Sequence, residues 1–219
     1  ASENTNVALI HQPDRKGKIA AVQRAMEFVK SEIVIFTDAN TFINKEAVHL
    51  LVRHFPFEKV GAVAGEKRIV TNGREEASGA GEGLYWKYES RLKAWDSELY
   101  SVVGAAGELF AIRKELYEPM PQDTLIEDFY LTLRIAQKGY KVVYEPDAYA
   151  MEEPSASVKE EFKRKVRIAA GGIQAIVRLL ALLNPFKYGV LSFQYISHRV
   201  LRWTLAPLAL PFIFALNVL

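Results

Sequence analysis

Ile33-Val34-Ile35-Phe36-Thr37-Asp38-Ala39-Asn40 is the stretch from which the rest of the chain is read. Four consecutive apolar residues, three of them β-branched, predict a strand buried on both faces, as a parallel sheet requires, and the run stops at an acidic residue. Asp38 therefore falls at the strand's carboxyl end. In open α/β sheets that edge receives ligands. With the amide oxygen of Asn40 two residues on, Asp38 offers hard oxygen ligands to a divalent cation holding phosphates. A turn or helix cap is the commoner use of an Asp-x-Asn after a strand, so the reading depends on the surrounding sequence.

The 219 residues are half apolar and one quarter charged, a globular composition. Lys and Arg number 28 against 26 for Asp and Glu, a formal charge of only +2. This gives no bulk attraction to nucleic acid. The absence of cysteine excludes disulfides and thiolate chemistry.

Val7-Ala8-Leu9-Ile10 predicts a short strand, and Ile19, Val22, Met26 and Val29 follow at helical spacing. With the Ile33 strand they form a strand, helix, strand unit. Lys18, after Gly17, stands at the helix start, where it can meet a phosphate. Asn44 predicts a cap for a helix through Phe55, and Val60 to Ala64 predicts another strand. Thr71-Asn72-Gly73 and Ser78-Gly79-Ala80-Gly81 predict a loop before a helix carrying Tyr85, Trp86, Tyr88, Leu92 and Trp95. Those aromatics suit either core packing or a sugar-stacking surface.

Gly104-Ala105-Ala106-Gly107, followed by Glu108, lets backbone approach a ligand closely, or makes a tight turn, before the strand Leu109-Phe110-Ala111-Ile112. Thr124 predicts the cap of a helix with Glu127 and Asp128 in its first turn, where acidic residues also complement the helix dipole. Lys141 to Tyr144 predicts the last clear strand. A helix from about Ser157 toward Leu183 carries Arg164 and Arg167 on one face, suited to a diphosphate or to anionic lipid. Residues 203–219 contain no charge. Although short of the ~20 residues that span a bilayer, this run predicts the start of a transmembrane segment, with Arg202 and Trp203 as interface anchors.

Taken in order, Gly17-Lys18, Thr37-Asp38-Ala39-Asn40, Gly104-Ala105-Ala106-Gly107-Glu108, Ile126-Glu127-Asp128 and Arg164-x-x-Arg167-Ile168 with Gly171-Gly172 resemble the family-2 inverting glycosyltransferases. The similarity is to the membrane-bound branch that includes cellulose and hyaluronan synthases and exopolysaccharide transferases. The resemblance implies an α/β fold of the GT-A type, a doubly wound, mostly parallel sheet, incomplete at its amino terminus. It implies a partial catalytic domain over residues 1–183, and a membrane-interface helix with the start of a transmembrane segment over 184–219.

The implied donor is a nucleotide-diphosphate sugar, a UDP-sugar before others, and the implied acceptor a saccharide or a lipid-linked group. Lys18, Asp38, Arg164 and Arg167 would bind the donor, with Asp38 and Asn40 on Mg²⁺ or Mn²⁺. Gly104, Ala105, Ala106, Gly107 and Glu108 would line the acceptor side. Asp128 would be the catalytic base, with Glu127 raising its pKa by like-charge proximity. The implied location is the cytoplasmic (inner) membrane, with the catalytic domain facing the cytoplasm. Two features depart from the family pattern: Asn40 stands where many members carry a second Asp, and Ile168 where processive synthases carry Trp. A sugar-1-phosphate nucleotidyltransferase and a non-catalytic membrane scaffold of the same fold are the competing readings.

Overall fold

The computed structural model describes residues 7–69, 77–152 and 157–218, without the side chains of 77–85 and 218. The expected Thr71-Asn72-Gly73 turn and Tyr85 side chain lie outside the described residues. Among the described residues five strands form one sheet: β1 (Ile33–Thr37), β2 (Phe42–Ile43), β3 (Val60–Ile69), β4 (Leu109–Arg113) and β5 (Lys141–Glu152), in the order β1-β4-β3-β5-β2. The predicted mostly parallel sheet is a mixed one. β4 runs antiparallel to both β1 and β3, β2 runs antiparallel to β5, and β3 with β5 is the parallel neighbouring pair. Strand direction is set by how each connection returns to the sheet, and apolar runs of this kind do not encode it.

Helices α1 (Lys18–Phe28), α2 (Ala47–Val52), α3 (Ala77–Leu99), α4 (Glu127–Gln137) and α5 (Val158–Arg178) surround the sheet. Alternation along the strands supplies two cores. Ala62, Ala64, Phe110, Ile112 and Val142 pack on one face with Phe129, Leu131, Leu133 and Ile135 of α4. Val63, Leu109, Ala111, Ala148 and Ala150 pack on the other with Ala47, Leu51 and Phe55. Period-2 alternation is what allows one strand to serve two apolar layers.

Several local expectations change. Residues 7–10 make no strand among the described residues, and Leu9 is 79% exposed, because an apolar run becomes a strand only where an edge takes its backbone hydrogen bonds. β1 is half-buried rather than buried on both faces, since it stands at the edge of the described sheet. Residues 78–81 belong to α3 and are not a loop. Asn44 does not cap α2, which ends at Val52. Its side chain accepts from the Tyr149 amide at 2.9 Å and donates to the Asp147 carbonyl at 3.1 Å, tying β2 to β5. Thr124 does not cap α4, whose cap position is Ile126; its hydroxyl donates to the Pro121 carbonyl and accepts from Arg178. Ser157 does cap α5, accepting from the Glu160 amide at 3.2 Å.

After α5 come short turns, then α6 (Pro185–Tyr188), α7 (Val190–Tyr195), a π-turn, α8 (Leu201–Trp203) and α9 (Leu205–Val218). Among the described residues no single helix is long and apolar enough to cross a membrane; Val190–Trp203 and Leu205–Asn217 meet the length and composition only as a pair bent by 49°. The expected interface anchors are instead packed inward. Trp203 meets Phe129 edge-to-face at 5.1 Å and lies against Gly172, while Arg199 and Arg202 pair with the buried Glu89 of α3. Burial would raise the Glu89 carboxyl, but the two guanidinium groups outweigh it and hold its pKa below the usual range. This docking fixes α5 between α4 and the carboxyl-terminal helices.

A Cβ at Gly172 would come within 2.4 Å of the Trp203 ring. Gly172→Ala is therefore expected to destabilise the protein by about 1–3 kcal/mol, the usual cost of overpacking, measured by denaturant unfolding followed through tryptophan fluorescence.

Candidate active site at the carboxyl end of the sheet

Asp38 directly follows β1. Its backbone carbonyl accepts from the Thr41 amide and, at 2.8 Å, from the Thr41 hydroxyl, closing the turn that carries Asn40. The turn thus uses the Asp38 carbonyl and leaves the carboxylate available. That carboxylate meets Lys18 Nζ at 2.6 Å, and the same ammonium meets Glu127 Oε1 at 2.6 Å. Lys18 is placed by α1, which begins at this residue after Gly17, whose φ of 89° turns the chain into the helix. Burial would lower the Lys18 pKa, but hydrogen bonds and charge from Asp38 and Glu127 hold it above its usual range.

Asp128 lies beside Glu127 in the first turn of α4. Burial, followed by the charges of Glu127 and Glu108, pushes its carboxyl up to about 7. The like-charge effect expected from Glu127 is present, with desolvation the larger cause. The run of tiny residues explains how α4 comes so close. Gly104 has φ 89°, and a Cβ there would sit 2.2 Å from the Phe129 ring; a Cβ on Gly107 would sit 3.3 Å from Asp128 Oδ2. The Ala105 amide donates to Thr132 Oγ1 at 3.1 Å, and that hydroxyl donates to the Asp128 carbonyl at 2.7 Å. Gly104 to Gly107 are thus held against the face of Asp128.

Glu108 follows, its carbonyl accepting from the Thr37 hydroxyl at 3.0 Å, which ties it to the end of β1. Burial would raise its pKa, yet the charge and hydrogen bond of Lys67 keep it below the usual range. Asn40 donates through Nδ2 to Glu152 Oε1 at 3.0 Å. Glu152 Oε2 takes Lys67 and lies 3.7 Å from Arg164 Nη1, while Arg164 also pairs with Glu161. Of the two expected arginines, Arg164 is thus drawn to the Asn40 side, and Arg167 is exposed one turn on. Lys67 and Glu152 were not anticipated. A charge after an apolar run reads as the end of a strand, whereas β3 continues to Ile69 and buries Lys67 within it.

For a divalent cation, the oxygen donors present are a carboxylate at Asp38 and, with Asn40 donating through its nitrogen, the Asn40 carbonyl oxygen. Among the described residues no cluster of three or more His, Asp or Glu converges as a ready-made cage. A hard cation accepts two such oxygens when phosphates and water complete its shell, so these residues fit a phosphate-bound ion. The helical aromatics are divided: Trp86 lies under Lys67, its ring centroid 5.0 Å from Nζ, while Tyr88 and Trp95 are exposed.

A carboxyl raised in the folded state stabilises the fold relative to its ionised form below its unfolded pKa, near 3.8, and that contribution is lost as pH rises through about 7. Asp128→Asn is accordingly expected to be more stable than wild type at pH 8, with the difference shrinking toward pH 4, in chemical denaturation across that range. Equal stability at pH 8 would contradict the desolvated placement of Asp128.

The chain is similar to known proteins in sequence and in fold. Residues 2–171 match the profile described as glycosyltransferase like family 2. A poly-beta-1,6-N-acetyl-D-glucosamine synthase from Staphylococcus aureus is 24% identical over 183 residues, covering 80% of this chain and 43% of that protein. A probable glycosyltransferase, YdaM, from Bacillus subtilis is 25% identical over 178 residues, covering 78% and 42%. The chain thus spans less than half the length of these curated relatives. A mannosyltransferase from Pyrobaculum calidifontis, solved with GDP-Man and Mn²⁺, superposes with a TM-score of 0.67 at 22% identity over 87% of this chain and 52% of that one, a likeness of fold. The chain belongs to glycosyltransferase-like family 2, with a GT-A-like α/β fold.

Proposed function

We propose that the protein transfers a sugar from a nucleotide-diphosphate sugar to a saccharide or lipid-linked hydroxyl by a single inverting displacement. The observation that carries this reading is the Lys18 bridge between Asp38 and Glu127, next to a carboxyl held near neutral pH. One end of that bridge suits a donor diphosphate and the other an acceptor. Family membership favours sugar transfer over the nucleotidyl transfer that a similar sheet also supports.

In this mechanism Asp128 accepts the proton of the acceptor hydroxyl. That oxygen forms a bond to the anomeric carbon as the bond from carbon to phosphate oxygen breaks. The nucleoside diphosphate leaves with the bonding electrons, and the anomeric centre is inverted. A base with pKa near 7 combines a usable ionised fraction with real basicity. Glu127 keeps Lys18 at the base side, and Lys18 and Arg164 offset charge growing on the diphosphate. Asp38 and Asn40 would hold Mg²⁺ or Mn²⁺, which when bound neutralises diphosphate charge. The Mn²⁺ and GDP-Man in the structurally similar mannosyltransferase support this choice of ligands, and the name of the Staphylococcus aureus relative makes an N-acetylglucosamine nucleotide the first donor to try.

The acceptor reaches Asp128 past the Gly104 to Gly107 run. Membrane association fits the uncharged α9, whose Leu208, Leu210, Phe212 and Phe214 are exposed, and the outward Val158, Phe162 and Val166 of α5. With sugar nucleotides supplied from the cytoplasm, the site would open to that side of the membrane.

The test is transfer by the full-length protein from UDP- and GDP-sugars with Mn²⁺ or Mg²⁺. Asp128→Asn is expected to lower kcat by about a hundredfold or more with donor binding nearly unchanged, and the acid limb of the wild-type rate profile should fall near pH 7. Wild-type turnover in that variant would remove Asp128 as base. Asp38→Ala is expected to abolish the nucleotide-dependent binding of Mn²⁺ measured by calorimetry. Binding equal to wild type would remove Asp38 as ligand.

A further inference from the structure

Lys67 is 2% exposed, in the interior of a β-strand, where an ammonium is costly unless its charge and its hydrogen bonds are met. Two carboxylates meet them: Glu108, which follows the Gly104 to Gly107 run, and Glu152, at the end of β5. β3 arrives at this position through a register shift between Ala64 and Glu66, which sets Lys67 opposite Ala150. Glu152, two residues beyond Ala150 on the neighbouring strand, is then within reach of a long side chain. Neither carboxylate ends at Lys67. Glu108 is tied through its carbonyl to Thr37 at the end of β1, whereas Glu152 carries Asn40 on one oxygen and Arg164 on the other. The face of the Trp86 ring lies against the ammonium, so this helical aromatic is committed to Lys67.

We propose that Lys67 is a positioning residue that fixes the two sides of the site relative to one another, holding Glu108 on the acceptor side and, through Glu152, the Asn40 turn and Arg164 on the donor side. The proposal rests on the glycosyl-transfer reading for its functional meaning, but its structural content stands by itself. Lys67 reaches neither the proposed donor diphosphate nor the acceptor; it acts through Glu152 and Glu108. One ammonium is shared by carboxylates from two separate segments, and one of those carboxylates is shared in turn by the cation-side turn and the arginine helix. Neutralising Lys67 leaves Glu108 and Glu152 facing each other without their common cation. They then separate or take up water, and the Asn40 turn and the first turns of α5 lose the group that aligns them. A displacement of about 1 Å in a donor site is enough to cost up to a hundredfold in rate.

The test uses the full-length protein and its Lys67→Met, Lys67→Arg and Glu152→Gln variants, with amide hydrogen exchange read separately over residues 38–43, 104–108 and 157–168. Lys67→Met is expected to raise exchange about tenfold or more in all three segments while β4 and α4 stay protected. Glu152→Gln should do so over 38–43 and 157–168 alone, and Lys67→Arg should restore most of the protection. Unchanged exchange in these segments, or a uniform rise across the whole sheet, would overturn the proposal and leave Lys67 as a contributor to global stability. If Lys67→Met does not fold, the segment pattern in Glu152→Gln decides.

In transfer assays, Lys67→Met and Glu152→Gln are expected to raise the donor KM about tenfold, with a smaller change in kcat for Glu152→Gln. A donor KM equal to wild type in both variants would likewise overturn the proposal. If wild-type protein transfers no sugar from any nucleotide donor, the glycosyl-transfer reading fails, and the exchange pattern still decides the role of Lys67.

Discussion

Five carboxylates, those of Asp38, Glu108, Glu127, Asp128 and Glu152, crowd the carboxyl-terminal edge of the sheet, and their mutual repulsion is the constraint to which the surrounding structure answers. Lys18 stands between Asp38 and Glu127, Lys67 between Glu108 and Glu152, and Arg164 beside Glu152. The carboxyl of Asp128 is pushed up to about 7, because burial and the neighbouring charges of Glu127 and Glu108 favour its neutral form. The same cluster therefore holds carboxylates paired with cations and, at Asp128, a carboxyl suited to proton transfer. Environment, rather than residue type, separates these roles.

The framework that tolerates this charge is apolar on both faces of the sheet, and its close approaches depend on the absence of side chains. Phe129 presses on Gly104, Asp128 on Gly107, and Trp203 on Gly172. The last of these connects the site to the carboxyl-terminal helices. Trp203 touches Gly172 of the arginine-bearing helix and Phe129 next to Asp128, so the position of α5 is set by the same ring that packs on α4. Glu89, held by Arg199 and Arg202, anchors that packing from α3.

Much of the order of motifs was legible from the chain alone. An apolar run ending in Asp38, a helix opening at Lys18, small residues before Leu109 and an acidic first turn at Glu127 are each local patterns, and each forms an element where expected. The boundaries failed where a local pattern competed with a distant partner. Asn44 and Thr124 look like caps because Asn and Thr are good local acceptors, yet their side chains are taken by Tyr149 and Arg178. Val7 to Ile10 has strand composition but no partner edge among the described residues. Arg202 and Trp203 look like membrane anchors because they border an uncharged run, but Glu89 and Gly172 claim them.

Periodicity and short-range spacing suffice for the α/β class and for placing Asp38 and Asp128 at the ends of elements where side chains reach a common edge, and the motifs in their order carry the family resemblance. The mixed direction of the strands, the Lys18 bridge from Asp38 to Glu127, and the burial of Lys67 between Glu108 and Glu152 arise from long-range packing. These join residues 20 to more than 100 positions apart. The energy of a buried charge depends on which opposite charge the fold brings to it, and no local pattern carries that information.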